Sequence, residues 1–281
     1  MAPTEQAVIQ HLEPLAIADA LVLTVEAGWN QTAEDWAFFI AHGTVFGARD
    51  AGGKLIATAA VLPYSAGFAW VSLVIVAKSH RRQGLGTRML NQCVSLLRER
   101  ALVGMLDATP AGAKVYAPLG FRTIMGLNRW EGMGGAVVDR GEPVRPLASS
   151  DVDRIARFDA IAFGAPRNTL LANWWSRAGT RGFELADEIG YGLIRRSRIA
   201  SQLGPVVAAT ESSAIVLLDA AIASMPGAVF VDVPEQWADI GAYLSTRGFA
   251  VQRPFQRMAL GIDRPYGEPA RVFAIAGPEY G

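Results

Sequence analysis

The sequence predicts an α/β (α+β) protein with two domains in tandem. Its 281 residues correspond to about two domains at roughly 150 residues each. Apolar runs of strand length alternate with stretches whose apolar residues recur at helical spacing. Six glycines and prolines fall between Gly132 and Pro146, which is typical of a connection between domains. We therefore predict domains at 1–135 and 148–281, the first and second halves, joined by a linker at 136–147.

In the first half, apolar runs bounded by turn residues predict strands, and apolar residues at helical spacing predict helices. In chain order, the predicted elements are a short strand leading into a helix near 17, a helix at 32–41, strands at 44–49, 55–63 and 68–77, a helix from 85, a strand at 102–108, a helix from 110 and a strand from 121. Asp50, Gly52 and Gly53 supply hairpin turn chemistry. Pro110 is tolerated in the first turn of its helix. Cys93 falls on the apolar face of the helix from 85, so we expect a small core residue there rather than a reactive thiol.

The second half is predicted to follow a similar plan. Its elements are helices at 151–163 and 170–178, strands at 190–196 and 206–209, a helix at about 212–223 and a strand at 228–233. The stretch at 271–278 is apolar enough to pack against the body of the protein. A strand with Asp107 precedes Pro110 and a helix that ends in Gly-Phe. A strand with Asp232 precedes Pro234 and a second helix of this kind, which suggests an internal repeat.

Composition excludes several classes of protein. Lys plus Arg and Asp plus Glu number 26 each, so no polybasic field is available for a nucleic-acid backbone. The longest nearly apolar stretch, 68–77, falls well short of the roughly 20 residues that span a bilayer. The chain also begins without a basic and apolar leader, so we expect a cytoplasmic protein with no membrane partner. One cysteine, Cys93, excludes an internal disulfide, and His11, His42 and His80 are too scattered to suggest a metal site.

A basic loop, residues 78–88, follows the apolar strand that ends at 74–76. Gly84 and Gly86 would let backbone N–H groups approach an anion at the positive end of the next helix. Three arginines can add charge-assisted contacts: Arg81, Arg82 and Arg88. A P-loop is excluded because no Gly-Lys-Ser/Thr occurs, and a dinucleotide loop fits poorly because Met89 stands at its third glycine position. A pyrophosphate site is favoured, and a simple strand-to-helix turn is the alternative.

Two motifs lie on the predicted series of strand, loop, helix and strand. They are Arg81-x-x-Gly84-x-Gly86 and Tyr116-x-x-x-Gly120-Phe121. This arrangement resembles the GCN5-related N-acetyltransferase (GNAT) superfamily over roughly the first 130 residues. The resemblance implies a mixed, largely antiparallel sheet flanked by helices in each domain.

The resemblance also implies acetyl-CoA as cosubstrate and no metal. In the family, the loop wraps the pyrophosphate, and the preceding strand splays from its neighbour to pair with the pantetheine arm. The cofactor-binding residues carried over are Val74, Ile75, Val76, Arg81, Arg82, Gln83, Gly84, Leu85, Gly86, Thr87 and Arg88.

Catalysis in this family needs a proton for the departing thiolate and stabilisation of an oxyanion. Tyr116 stands at the position of the family's proton donor, and a packing tyrosine is the alternative. The resemblance places the oxyanion's backbone N–H donor near Ile75. The general base stays open among Glu26, Asp35, Asp107 and a chain of water molecules.

Four residues are predicted to bind the acceptor substrate. Trp29 and Asn30 follow the first helix, where the family builds its acceptor pocket, and Trp70 and Ser72 precede the splay. Gln31 and Trp36 belong to the same candidate segment as Trp29 and Asn30. The alternative for this segment is a buried pair of tryptophans, Trp29 and Trp36, with a helix cap at Thr32. The sequence thus predicts transfer of an acetyl group to the primary amine of a small molecule by a monomer or homodimer. A catalytically weak acyl-CoA sensor is the competing function, and acetylation of a protein remains open.

The second half is expected to differ in function. Its counterpart of the basic loop, 210–214, contains neither arginine nor glycine, and Glu211 would oppose a phosphate. It looks similar to the degenerate C-terminal domain of some tandem GNAT proteins. The markers are Phe158-Asp159, Ala162-Phe163-Gly164, Gly190-Tyr191-Gly192 and Arg253-Pro254-Phe255-Gln256-Arg257-Met258. Its predicted role is to complete the acceptor pocket or to brace the first domain.

Overall fold

The computed structural model describes residues 7–135, 144–186 and 190–281. The strands in this part of the chain are β1 (Ile9–His11), β2 (Thr44–Arg49), β3 (Leu55–Tyr64), β4 (Phe68–Val76), β5 (Val103–Ala108), β6 (Phe121–Gly134), β7 (Val144–Pro146), β8 (Arg181–Leu185), β9 (Tyr191–Arg195), β10 (Ser201–Val207), β11 (Gly227–Pro234), β12 (Ala250–Leu260) and β13 (Val272–Ala274). The helices are α1 (Ile17–Ala27), α2 (Ala33–His42), α3 (Leu85–Glu99), α4 (Pro110–Tyr116), α5 (Val152–Phe163), α6 (Asn168–Trp175), α7 (Glu211–Ser224) and α8 (Ala238–Thr246).

All of these strands belong to one sheet. Its order is β1-β2-β3-β4-β5-β12-β6-β11-β10-β9-β8-β7, with β13 paired to β10. The pairs β4/β5 and β10/β11 are parallel and the other pairs are antiparallel, which confirms the predicted mixed, largely antiparallel class. The two halves therefore share a continuous sheet rather than forming two separate ones.

The halves exchange strands at the centre of this sheet. β12 of the second half lies between β5 and β6 of the first, and β6 in turn pairs with β11. Met258 thus lies opposite Leu106 on one side and Thr123 on the other. The predicted linker contributes β7 at 144–146, while 136–143 lie outside the described residues.

The exchange confirms the internal repeat. The units β5-α4-β6 and β11-α8-β12 are each strand, helix, strand, and each gives its last strand to the other. Asp107 of β5 accepts two 2.8 Å hydrogen bonds from Arg257 of β12. Asp232 of β11 accepts two 2.8 Å hydrogen bonds from Arg129 of β6. These two bidentate ion pairs occupy equivalent positions in the two units.

Helix α3 forms because its apolar residues recur at helical spacing and so lie on one face. Its apolar face packs on β3 and β4, and the buried residues on that face are Leu85, Met89, Leu90, Cys93, Val94, Leu96 and Leu97. Burial raises the pKa of the Cys93 thiol, so this cysteine is a core residue as predicted. None of the helices in the described part of the chain has the length and apolarity to cross a bilayer.

Several strands differ from the sequence prediction. β8, β12 and β13 are not predicted, β7 falls within the predicted linker, and β10 begins at Ser201 rather than at 206. Gly204 and Pro205 interrupt the apolar run of β10. The strand accommodates them where its register with β9 shifts between Leu203 and Val206, and proline is tolerated at such a bulge because no ladder N–H is needed there.

Candidate active site

A cavity of about 610 Å³ opens where β4 diverges from β5. The two strands pair only between Phe68–Trp70 and the start of β5, while residues 71–76 line the cavity. Leu73 has a φ of 53°, and the register with β3 shifts there. Thr58 stabilises the distortion, because its hydroxyl donates a 2.8 Å hydrogen bond to the Leu73 carbonyl. The predicted splay of this strand is therefore present in the fold.

The basic loop forms one end of the cavity. Gly84 caps α3 with a φ of 75°, and a Cβ added there would meet no atom within 4 Å. The first N–H groups of α3 have no partners within the helix and carry its positive dipole end. Glu26 accepts a hydrogen bond from the Lys78 N–H and so anchors the start of the loop. Open space, free N–H groups and the positive charge of Arg82 fit an anionic ligand.

Most of the predicted cofactor residues meet at this cavity. Those that line it are Val74, Ile75, Val76, Arg81, Arg82, Gly84, Leu85, Gly86 and Thr87. Gln83 and Arg88 are not among the lining residues. The Gln83 amide donates to the Ser79 carbonyl, and the Arg88 guanidinium donates a 2.8 Å hydrogen bond to the Ala7 carbonyl. The side chains of these two residues therefore stabilise the loop and the start of the chain.

Tyr116 lies at the end of α4 and lines the cavity. Burial, aided by the proximity of Cys93, raises the pKa of its hydroxyl to about 12. Gly112 makes room for the ring, because a Cβ there would lie 3.0 Å from Cε2 of Tyr116. The hydroxyl is therefore protonated at neutral pH.

The side chain of Asn30, a predicted substrate residue, hydrogen-bonds the backbone of the second half. Its Nδ2 donates a 2.9 Å hydrogen bond to the Ala200 carbonyl, and its Oδ1 accepts from the N–H groups of Ile199 and Ala200. Although Asn30 lines the cavity beside Trp29, its amide joins the two halves and has no remaining acceptor site free of the backbone. Asn30 stays a predicted substrate residue, because it lines the cavity.

Trp70, another predicted substrate residue, does not line the cavity. Its ring is buried outside the cavity, under the Arg257 guanidinium, whose Cζ lies 4.6 Å from the ring centroid. The indole Nε1 donates a 2.9 Å hydrogen bond to the Pro278 carbonyl. Trp70 thus supports a segment of the second half rather than facing a substrate.

Two buried polar atoms in the cavity wall have no protein partner. They are Oγ of Ser72, a predicted substrate residue, and Oε1 of Gln31, which the sequence also places beside Asn30 in the predicted acceptor pocket. Both residues are more than nine-tenths buried, at 8% and 7% exposure. Both atoms are themselves inaccessible to solvent, so they lie behind the cavity surface and are not presented to a ligand within it.

The carboxylates proposed as bases are all engaged in structural contacts. Glu26 anchors the basic loop, and Asp107 binds Arg257 through both oxygens. Asp35 accepts hydrogen bonds from Arg177 and from the Tyr280 hydroxyl, at 2.6 and 2.8 Å. Burial alone would raise the pKa of Asp35, but the nearby arginines hold it below its ordinary value.

Sequence reasoning missed one carboxylate, Glu279. It lines the cavity and is 9% exposed, and burial raises its pKa to about 7. The nearest cation is Arg195, whose guanidinium lies 3.7 Å from Oε1. No local motif signals this residue, because it reaches the cavity from the far end of the chain.

In the described part of the second half, the chain itself fills the gap that corresponds to this cavity. β10 and β11 pair at 201–203 and then diverge, as β4 and β5 do. β13 pairs with the free stretch of β10, and the Ile275 N–H donates a 2.9 Å hydrogen bond to the Asp232 carbonyl. A ligand arm beside β10 would have to displace β13.

Comparisons with known proteins agree with this geometry. Residues 8–121 match the model of the "Acetyltransferase (GNAT) family", and residues 155–274 match that of the "Acetyltransferase (GNAT) domain". The chain is 29% identical to holothin acyltransferase from Pseudoalteromonas sp. (strain SANK 73390) over 231 residues, which cover 80% of this chain and 78% of that protein.

Solved structures share the whole architecture. A protein from Pyrococcus horikoshii is similar over 99% of this chain and 96% of its own, with a TM-score of 0.85 and 21% identity. A tandem GNAT protein from the clavulanic acid biosynthesis pathway is similar over 90% of this chain and 98% of its own, with a TM-score of 0.63 and 14% identity. The chain belongs to the GNAT superfamily of acetyltransferases and carries two GNAT domains in tandem.

Proposed function

We propose that the chain transfers an acetyl group from acetyl-CoA to the primary amine of a small molecule, with Tyr116 as the general acid. The observation that carries this proposal is one cavity with a loop suited to an anion at one end and a protonated tyrosine on its wall. The holothin acyltransferase, to which the chain is similar over most of its length, supports acyl transfer as the reaction.

Different parts of the cavity would bind different parts of acetyl-CoA. The N–H groups of Gly84 to Thr87 and the Arg82 guanidinium would hold the pyrophosphate, whose charge matches the positive end of α3. The backbone of 74–76, free of pairing with β5, would bind the pantetheine arm. This arrangement presents the thioester to the part of the cavity that Tyr116 and Ser72 line.

The same residues explain how transfer would proceed. The amine attacks the thioester carbonyl directly, and a backbone N–H near Ile75 stabilises the charge that develops on oxygen. Tyr116 donates its proton to the sulfur as the C–S bond breaks. Tyr116 is protonated at neutral pH, so it holds the proton that this step requires.

The experiment is a thiol-release assay with acetyl-CoA and a panel of small primary amines, together with calorimetric titration of acetyl-CoA. We expect binding of acetyl-CoA and thiol release that depends on at least one amine, with mass spectrometry showing the acetylated product. Tight binding without turnover on any amine would replace this proposal with the acyl-CoA sensor.

A further inference from the structure

The segment that brings Glu279 to the cavity is held by both halves of the protein. After β13 fills the gap of the second half, residues 277–281 cross to the first half. Trp70 donates a hydrogen bond to the Pro278 carbonyl, and Tyr64 donates one of 2.8 Å to the Tyr280 carbonyl. Arg167 of the second half donates a 3.0 Å hydrogen bond to the Gly281 carbonyl. Backbone contacts on each side of Glu279 therefore fix its position.

The neighbouring residue, Tyr280, adds a rigid side-chain anchor. Its ring is buried, stacks on Phe39 at a centroid distance of 5.1 Å and meets the edge of Trp174 at 5.0 Å. Its hydroxyl donates to Asp35 Oδ1. Because Tyr280 is fixed by these contacts, the backbone of the adjacent Glu279 is fixed as well, and its side chain is held at the cavity.

The surroundings of Glu279 allow it to change charge near neutral pH. The charged and titratable groups that influence it or are influenced by it are Arg195 of β9, Asp35 of α2, Arg129 of β6, Tyr64 of β3 and the adjacent Tyr280. Burial is the largest effect and raises the pKa, while Arg195 and Arg129 oppose it. Arg129 is already paired with Asp232, and Arg195 is at the long distance of 3.7 Å, so neither cation cancels the effect of burial.

We propose that Glu279 is the general base that accepts a proton from the attacking amine. The proposal rests on the proposed function and assigns the catalytic step that Glu26, Asp35 and Asp107 leave open. It also makes the acceptor subsite a product of both halves, because the base comes from the second half and the acid from the first.

The proton balance of the step is complete with these two residues. The lone pair of the neutral amine forms the C–N bond, and the carbonyl π pair moves onto oxygen. Glu279 takes one N–H proton, the C–O double bond re-forms, and the C–S pair leaves on sulfur, which takes the proton of Tyr116. The products are an amide and a free thiol, and protonated Glu279 and ionised Tyr116 return to their starting states by exchange with water.

The test compares wild type, Glu279→Gln and Glu279→Asp, with Glu99→Gln as a matched control at the exposed end of α3. For each protein, kcat and kcat/KM are measured from pH 5 to 9 with acetyl-CoA and two accepted amines of different pKa, and the Kd of acetyl-CoA is measured by calorimetry. If the acidic limb of the pH profile of kcat/KM does not shift when the amine is changed, that limb reports the ionisation of a group on the enzyme.

We expect the wild type to lose activity below an enzyme pKa near 7. Glu279→Gln should lower kcat by about 10² to 10⁴-fold and abolish this limb, while changing the Kd of acetyl-CoA less than threefold. Glu279→Asp should regain part of the rate and retain the limb, and Glu99→Gln should match the wild type.

Near-normal turnover of Glu279→Gln with an unchanged acidic limb would overturn this inference and leave the proposed function intact. A wild type that binds acetyl-CoA and acetylates no amine would overturn both. If Glu279→Gln is inactive because it misfolds, acetyl-CoA binding is lost too, and the pH profile of Glu279→Asp then decides: without an acidic limb near pH 7 the inference is wrong.

Discussion

In the proposed function, the Tyr116 hydroxyl donates the proton that the departing thiolate takes up. We expect Tyr116→Phe to lower kcat by about 10²-fold and to leave the Kd of acetyl-CoA nearly unchanged, because the ring still fills the space beside Gly112. Steady-state kinetics and calorimetry measure the two effects. Tyr266→Phe is the matched control, since Tyr266 stacks on Phe68 outside the main cavity. Turnover of Tyr116→Phe equal to that of this control would assign Tyr116 to packing.

Glu279 also couples stability to pH. Its carboxyl has a folded-state pKa of about 7 against 4.5 when exposed, so between these values the unfolded chain has lost a proton that the folded one retains. The free energy of unfolding therefore falls as pH rises through this window and levels off above pH 7, by about 3 kcal/mol in total. We expect wild type to lose about this much stability relative to Glu279→Gln between pH 4 and 8 in urea denaturation. A pH-independent difference would show that Glu279 ionises normally.

At the scale of elements, the loop that begins α3 combines a left-handed glycine with open space. We expect Gly84→Glu to abolish binding of acetyl-CoA in calorimetry, because a carboxylate would occupy the position of the pyrophosphate. The positive φ adds a cost of about 1–2 kcal/mol for any side chain. Gly53→Glu controls for this strain, since Gly53 has a φ of 81° with equally open space in the turn between β2 and β3. Equal affinities of the two variants would contradict the assignment of the loop.

Elements with a local signal were predictable from the sequence, and contacts between distant elements were not. α3 and the strands β2 to β4 follow apolar spacing closely, because each buries a face whose pattern is set within the element. Glu279 depends instead on contacts such as that between Trp70 and Pro278, which are 208 residues apart. The spacing of residues carries no information about such a contact, so the sequence indicates Glu26, Asp35 and Asp107 as candidate bases and gives no signal for Glu279.

For the whole molecule, the exchange of strands joins the halves through their cores. Each of the pairs Asp107–Arg257 and Asp232–Arg129 links one half to the other, and each is buried. Removing one member of such a pair would leave a buried charge uncompensated, which typically costs 3–5 kcal/mol. Separating the halves would also expose the facing edges of β5, β6, β11 and β12. The second half thus serves as a structural part of the first, and it brings Glu279 to the cavity.

Because the halves cannot separate without breaking the central strands, we expect the protein to unfold in one cooperative calorimetric transition. Leu217→Ala in the second core and Leu23→Ala in the first each remove a buried side chain, at a cost of about 2–5 kcal/mol. Each substitution should move the single transition to lower temperature as a whole, by roughly 5 to 15 °C. The ratio of calorimetric to van't Hoff enthalpy should stay near 1 in both variants. Two transitions, of which only one responds to each substitution, would show that the halves fold independently despite the exchange.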